Sequence, residues 1–335
     1  MKALRALGAG IVLAMAVAAC GSSTTATEPE GASGTAAGAT PAAQTTFPRV
    51  IEHAMGTTEV KAQPKRVVAL DQSFVDAVLT LDTEVVGYTQ YRSIEDKLPD
   101  YLNPVMANAA NAVPVGTLEA PSLEKIAALK PDLIVSAKVR HEALYDKLSA
   151  IAPTVFSETT GAIWKENLRL MGKALGKEDL AEQRITAYQE RAAKIGEEIK
   201  EKNGGKLPTV SIVRFAGEPT ARLYVENSYS GVVLKDVGFP RPEGQPTVTD
   251  TIMVEISEER IADLDADHIF VSSYEDPSVA ESKKKFVTNP LWDKLKGEKH
   301  DVSDQTWMSA VGMQGAHVIL DDLATTFGVD PAKQA

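Results

Sequence analysis

The sequence predicts an α/β protein of two Rossmann-like lobes with mainly parallel sheets, joined by one long backbone helix and leaving a ligand cleft between the lobes. Three observations predict it. First, one stretch occurs twice: Ser122–Ile134 reads SLEKIAALKPDLI and Ser257–Ile269 reads SEERIADLDADHI, with Ser, Glu, Ile, Ala, Leu, Asp and Ile recurring in step 135 residues further on. An echo follows each copy, Tyr145-Asp-Lys-Leu148 and then Trp292-Asp-Lys-Leu295. A single copy would mean an amphipathic helix running into a buried strand; two copies mean two similar lobes. Second, short apolar strands alternate with helical patterns in both halves, which implies crossover connections and parallel pairing. Third, apolar residues of Glu178–Asn203 recur at helical spacing between the halves.

The amino terminus is not part of this fold. Met1–Arg5 carries Lys2 and Arg5, and Ala6–Ala19 is apolar but too short to span a bilayer. The pattern is that of a secretory leader over 1–19. Val17-Ala-Ala-Cys20 resembles the bacterial lipobox, which implies cleavage before Cys20 and acylation of that cysteine, the only one in the chain. Residues 20–48 are rich in Ala, Thr, Ser, Gly and Pro and read as a flexible tether from lipid to domain. The formal net charge is −11, and loss of Lys2 and Arg5 with the leader deepens it to −13. Such a surface repels nucleic acid, and no basic run with interleaved aromatics appears.

The remaining elements follow in order. Pro64–Leu70 is a strand with Pro before its apolar run. Asp71 then caps a short apolar helix over Phe74–Leu81, and Glu84–Gly87 is a second strand. Pro121–Leu129 is a helix with Ser122 at its N-cap, leading into a strand over Asp132–Val135; Ala152–Phe156 is another. The first lobe is placed at 49–163 and a connecting helical region at 164–205. Within that region Leu180, Ile185, Tyr188, Ala192, Ile195 and Ile199 form the apolar stripe, and Glu190/Lys194 and Glu198/Lys202 are i,i+4 pairs in the favourable order. Gly176 precedes this segment and Gly204-Gly205 ends it. Its length, roughly 39 Å, suits a helix that passes from one lobe to the other and equally one lying along a single lobe. The second lobe, 206–330, repeats the plan: a strand at Thr209–Phe215, helices at Ser230–Val237 and Glu258–Leu264, a strand at His268–Ser272, and a closing helical region over Trp307–Phe327.

Three local motifs now carry a resemblance. They are Ser122–Ile134; Arg140-His-Glu-Ala-Leu-Tyr-Asp-Lys-Leu148 with Ala152-Pro-Thr-Val155; and Ser211-Ile-Val-Arg214-Phe with Leu223-Tyr224, Gly231 and Gly238-Phe-Pro-Arg241-Pro. With the lipobox, the duplicated lobes and the long helix, the chain from about Arg49 to Phe327 resembles the substrate-binding lipoproteins of ABC importers. The resemblance is to the helical-backbone group that serves ferric siderophores, cobalamin and haem, and the last two motifs look like its ferric siderophore branch. It implies a lipid-anchored protein on the outer face of the cell membrane, without enzymatic activity or cofactor, binding iron only as a ferric siderophore. It also implies an ABC permease dimer with its ATPase as partner, docked through one glutamate on each lobe, Glu124 and Glu259. The duplication independently picks out the same pair, since two matching subunits need two matching contacts. Glu258 competes with Glu259, and each Glu also suits a helix N-terminus through the dipole.

A siderophore already wraps its iron in oxygen donors, so a receptor needs aromatic faces and hydrogen-bond donors rather than metal ligands. Candidates at strand ends and in cleft loops are Arg214, Tyr224, Trp307, Arg140, Trp164, Tyr274, Arg92 and Tyr91. Each has a structural alternative: Trp164 as a staple on a helix start, Arg140 in a surface pair with Glu142 or Asp146, Arg241 as a brace for its turn. The tryptophans and tyrosines point to a hydroxamate of the ferrioxamine type, with aromatic walls and one or two arginines. A ferric citrate-type complex calls for three or more converging arginines. Direct metal capture and an exported enzyme are the competing classes. His53, His141, His268, His300 and His317 are scattered, and the chain carries no Gly-x-Ser-x-Gly elbow, phosphate loop or His-Glu-x-x-His.

Overall fold

The computed structural model describes residues 46–333 except 92, 93, 95, 96 and 275. The leader, Cys20 and Arg92 lie outside the described residues. Everything described belongs to one compact unit.

A hairpin of β1 (Arg49–His53) and β2 (Gly56–Val60), which the sequence reading passed over, comes first. The first lobe then runs β3 (Arg66–Ala69), α1 (Gln72–Thr80), β4 (Glu84–Tyr88), a 3-10 helix at Asp100–Ala109, β5 (Val113–Pro114), α2 (Leu123–Ala128), β6 (Leu133–Ala137), the short α3 (Lys138–His141) and α4 (Tyr145–Ser149), and β7 (Thr154–Ser157). Its sheet has the order β5-β4-β3-β6-β7, every pair parallel. Val67, Val68, Leu133, Ile134 and Val135 are fully buried, as strands covered on both faces must be. Local chemistry starts the helices: Asp71 accepts from the Ser73 N–H at 2.9 Å, and Ser122 from that of Lys125 at 3.3 Å.

Two helices follow, α5 (Trp164–Leu175) and α6 (Glu178–Lys202). Gly176 takes the left-handed conformation, φ 66°, that reverses the chain between them. The long helix does not stay with one lobe. It lies along α5 on one side and along helices of the second lobe on the other. Tyr188 meets the Trp164 ring edge-on at 5.0 Å and the His317 ring at 5.7 Å. Gly196 lets the backbone of Val237 approach so closely that a Cβ would stand 2.0 Å from its carbonyl oxygen. One hydrophobic cluster runs from Val67 and Phe74 through Tyr188 and Ile195 to Val210, Trp307 and Leu320, so the lobes share a core.

The second lobe contains β8 (Val210–Phe215), β9 (Ala221–Tyr224), α7 (Tyr229–Val237), β10 (Met253–Ile256), a 3-10 helix at Glu258–Leu264, β11 (His268–Ser273), α8 (Pro277–Val287), β12 (Glu298–Asp301), a π-helical turn at Gln305–Ser309 and α9 (Met313–Phe327). Its sheet order is β10-β9-β8-β11-β12. The repeated sequence falls on equivalent places: β6 neighbours the central strand of its sheet, β11 that of the other, and each is fed by the repeated helix. The second half nevertheless departs from the expected plan. β9 runs antiparallel to both of its neighbours, β8 and β10, because the link from β8 is too short for a crossover and closes as a hairpin.

Candidate ligand-binding site

The carboxyl ends of β3, β6, β8 and β11 face the space between the lobes, where α/β sheets bind ligands. A cavity of about 620 Å³ opens there, lined by Asp71, Tyr91 and Arg140 from the first lobe and Arg214, Arg222, Tyr224 and Tyr274 from the second. Its size is ordinary for a small-molecule site.

Arg214 sits near the end of β8, 5% exposed. Its Nε and one terminal nitrogen donate to the two oxygens of Asp304 at 2.6 and 2.7 Å, and the other terminal nitrogen donates to the Tyr224 hydroxyl at 3.0 Å. The Tyr274 ring lies 4.0 Å from the guanidinium. Burial alone would lower the Arg214 pKa; the Asp304 hydrogen bonds outweigh it and hold the group above its ordinary range. Arg214 is thus a paired, immobile cation that fixes Tyr224 and Tyr274 on the cavity wall.

Arg140 is different. Its Nε donates to Asp71 at 3.0 Å while its side chain is 40% exposed. Asp71 is itself held as the cap of α1, accepting from both the backbone and the hydroxyl of Ser73. Arg222 lies directly across the β8–β9 pair from Arg214. It is paired with Glu218, and its buried Nε has no hydrogen-bond partner. Tyr229, also on the wall, donates to the Gly312 carbonyl at 2.7 Å. Three guanidinium groups from two facing lobes therefore converge on one cavity.

Of the residues singled out from sequence, Arg140, Arg214, Tyr91, Tyr224 and Tyr274 line this cavity, and Arg92 is not described. Trp164 and Trp307 do not line it. Trp164 is 2% exposed, edge-on to Tyr188 and Tyr229. Trp307 is fully buried, stacked on Phe270 at 4.7 Å, with its indole N–H on Asp322 at 2.8 Å. Both turn into the core shared by the lobes. Arg241 contacts Gln245 at 2.9 Å, away from the cavity. Sequence reasoning missed Arg222, Asp71 and Asp304. Arg222 had a signal: it stands two residues before Tyr224, so an extended segment puts both on one face.

The two glutamates take matching positions. Glu124 is exposed in the first turn of α2, and Glu259 is exposed at the start of the equivalent 3-10 helix. The neighbouring Glu258 is half-buried and accepts from Asn289 at 3.4 Å, which leaves Glu259 as the outward-facing acid.

Comparison with known proteins agrees with this architecture. Residues 67–301 match the family model described as periplasmic binding protein. The chain belongs to this family. Among its relatives, the Bacillus subtilis (strain 168) protein named "Probable siderophore-binding lipoprotein YfiY" is 37% identical over 83% of this chain and 87% of its own length. The Fe(3+)-citrate-binding protein YfmC of the same organism is 29% identical over 82% of this chain and 84% of its own. Among solved structures, Staphylococcus aureus SirA complexed with staphyloferrin B superposes with a TM-score of 0.76 at 34% identity, covering 84% of this chain and 99% of that one.

Proposed function

We propose that this periplasmic binding protein captures a ferric siderophore outside the cytoplasm and delivers it to the permease of an ABC importer, making and breaking no covalent bond. The observation that carries the reading is the convergence of Arg140, Arg214 and Arg222 with tyrosine rings on one inter-lobe cavity. Relatives whose names include siderophore and Fe(3+)-citrate binding support it.

The geometry favours an anionic, carboxylate-bearing chelate of the citrate type over a hydroxamate. Two of the aromatic side chains behind the hydroxamate expectation, Trp164 and Trp307, are in the core, and a third arginine, Arg222, joins the wall. Carboxylate oxygens accept from guanidinium groups in charge-assisted hydrogen bonds, roughly twice as strong as neutral ones. Arg140 offers its exposed end while keeping Nε on Asp71, and Arg222, paired with Glu218, adds a further guanidinium to the wall. Arg214, already saturated by Asp304, holds the wall in shape. Glu124 and Glu259 then present one acid per lobe to the permease, with the acylated Cys20 keeping the protein at the membrane.

A tryptophan-fluorescence titration tests this reading. Trp164 touches the wall residue Tyr229, so a bound ferric complex lies close enough to quench it. Ferric citrate is expected to quench saturably after correction for iron absorbance, and iron-free citrate to leave the signal unchanged. Saturation by ferrioxamine alone would replace the carboxylate class while keeping the receptor. Silence to every ferric complex would remove the receptor reading.

A further inference from the structure

The described residues contain one group of metal-ligating side chains, and it lies outside the cleft: His268, Glu298 and His300. β11 and β12 run parallel, with His268 opposite Glu298 and Phe270 opposite His300. Glu298 and His300 stand two apart on the edge strand and project from one face. Nδ1 of His268 lies 2.9 Å from Nε2 of His300 and 3.9 Å from a carboxylate oxygen of Glu298. The three donor atoms fall within 4.8 Å of one another. The two imidazoles stack at 5.2 Å. Phe327 meets His268 edge-on at 4.6 Å, and Phe270 braces His300 at 5.2 Å.

We propose that His268, Glu298 and His300 bind one divalent transition-metal ion, zinc by their chemistry, at a site separate from the siderophore cleft. Zinc bonds to imidazole nitrogen and carboxylate oxygen are about 2.0–2.2 Å long, so tetrahedral donors sit roughly 3.3–3.5 Å apart. The observed separations of 2.9 and 3.9 Å bracket that spacing. Two imidazoles and one carboxylate leave a fourth position for water. Magnesium and calcium, which take oxygen ligands, fit this donor set poorly. The nearby Asp267 carboxylate is already engaged by the backbone N–H and hydroxyl of Thr209. His268 opens β11, whereas the cleft residue Tyr274 follows its far end, about 17 Å along the strand. The ion therefore cross-links the edge strand β12 to its neighbour and has no part in holding siderophore iron.

Calorimetry of the full chain with zinc chloride, repeated with cobalt(II) under visible absorption, tests the site. One zinc per chain is expected, with cobalt bands of tetrahedral type displaced by zinc and no response to magnesium. Affinity is expected to fall at least tenfold in His300→Ala and in Glu298→Gln. Glu298 is exposed, so Glu298→Gln keeps the proposal testable should the histidine variant fail to fold, and its binding of ferric citrate is expected to match the parent chain. Absence of saturable zinc binding, or undiminished affinity in Glu298→Gln and His300→Ala, would overturn the site and leave the histidines as a hydrogen-bonded pair.

Discussion

The guanidinium of Arg214 is committed to Asp304, whereas that of Arg140 is half in solvent and held by one bond, and the two sites answer differently to mutation. Arg214→Ala leaves Asp304 buried with only the Ser272 and Ser309 hydroxyls beside it. Breaking a buried pair from one side costs about 3–5 kcal/mol. Urea denaturation of that variant should show a loss of this size; a loss within error would mean the pair contributes nothing to the fold. Arg140→Ala removes a solvent-screened contact worth at most about 1 kcal/mol. Its denaturation midpoint should hardly move, while its affinity for a ferric carboxylate complex should fall about tenfold in a fluorescence titration. Arg214 and Tyr224, both on the cavity wall, were legible in the sequence because they stand in the motif Ser211-Ile-Val-Arg214-Phe with Leu223-Tyr224. Trp164 and Trp307 were misplaced because an aromatic at a helix start reads the same whether it turns to the cleft or the core. Which way it turns is decided by the opposite lobe, which local sequence does not contain.

At the scale of elements, Asp76 of α1 ties the lobes together. Its carboxylate accepts from the N–H groups of Gln314 at 2.9 Å and Gly315 at 3.3 Å, the first turn of α9, and from the Thr80 hydroxyl at 3.2 Å. Gly312 is required beside it, since a Cβ there would lie 2.3 Å from Asp76 Cγ. Burial pushes the Asp76 pKa up to about 6, although each of these hydrogen bonds pulls it down. The folded state thus holds this proton more tightly than the unfolded chain. The resulting stabilisation is complete below the ordinary carboxylate pKa and is lost as pH rises through about 6. Asp76→Asn should therefore flatten the pH dependence of unfolding free energy between about pH 4 and 6, measured by urea titration at each pH; an unchanged slope would show that another group is responsible. The strands and helices that sequence revealed are those with a cap of their own, such as α1 and α2, or a clear apolar pattern, such as α6 and β6. β8 was read as a strand, but β9 and its pairing with β8 escaped, because the opposition of Arg222 and Arg214 makes sense only across the sheet.

For the whole molecule, the duplicated sequence predicted two equivalent lobes, and the sheets bear this out with β6 and β11 in matching positions. Both lobes pack on one apolar core along α6. Glu124 and Glu259 sit on the repeated elements, exposed and outside the cavity wall. Glu124→Ala and Glu259→Ala should accordingly leave siderophore affinity unchanged and abolish growth on the ferric complex as sole iron source. Normal growth of the double variant would remove the docking role.

The most direct test of the account is an isothermal titration of ferric citrate into the full chain and into Arg140→Ala/Arg222→Ala. The account predicts saturable binding to the parent chain and an affinity at least tenfold weaker in the double variant, with its fold retained. Equal affinity in the two proteins, or no binding to the parent by this or any other ferric chelate, would contradict it.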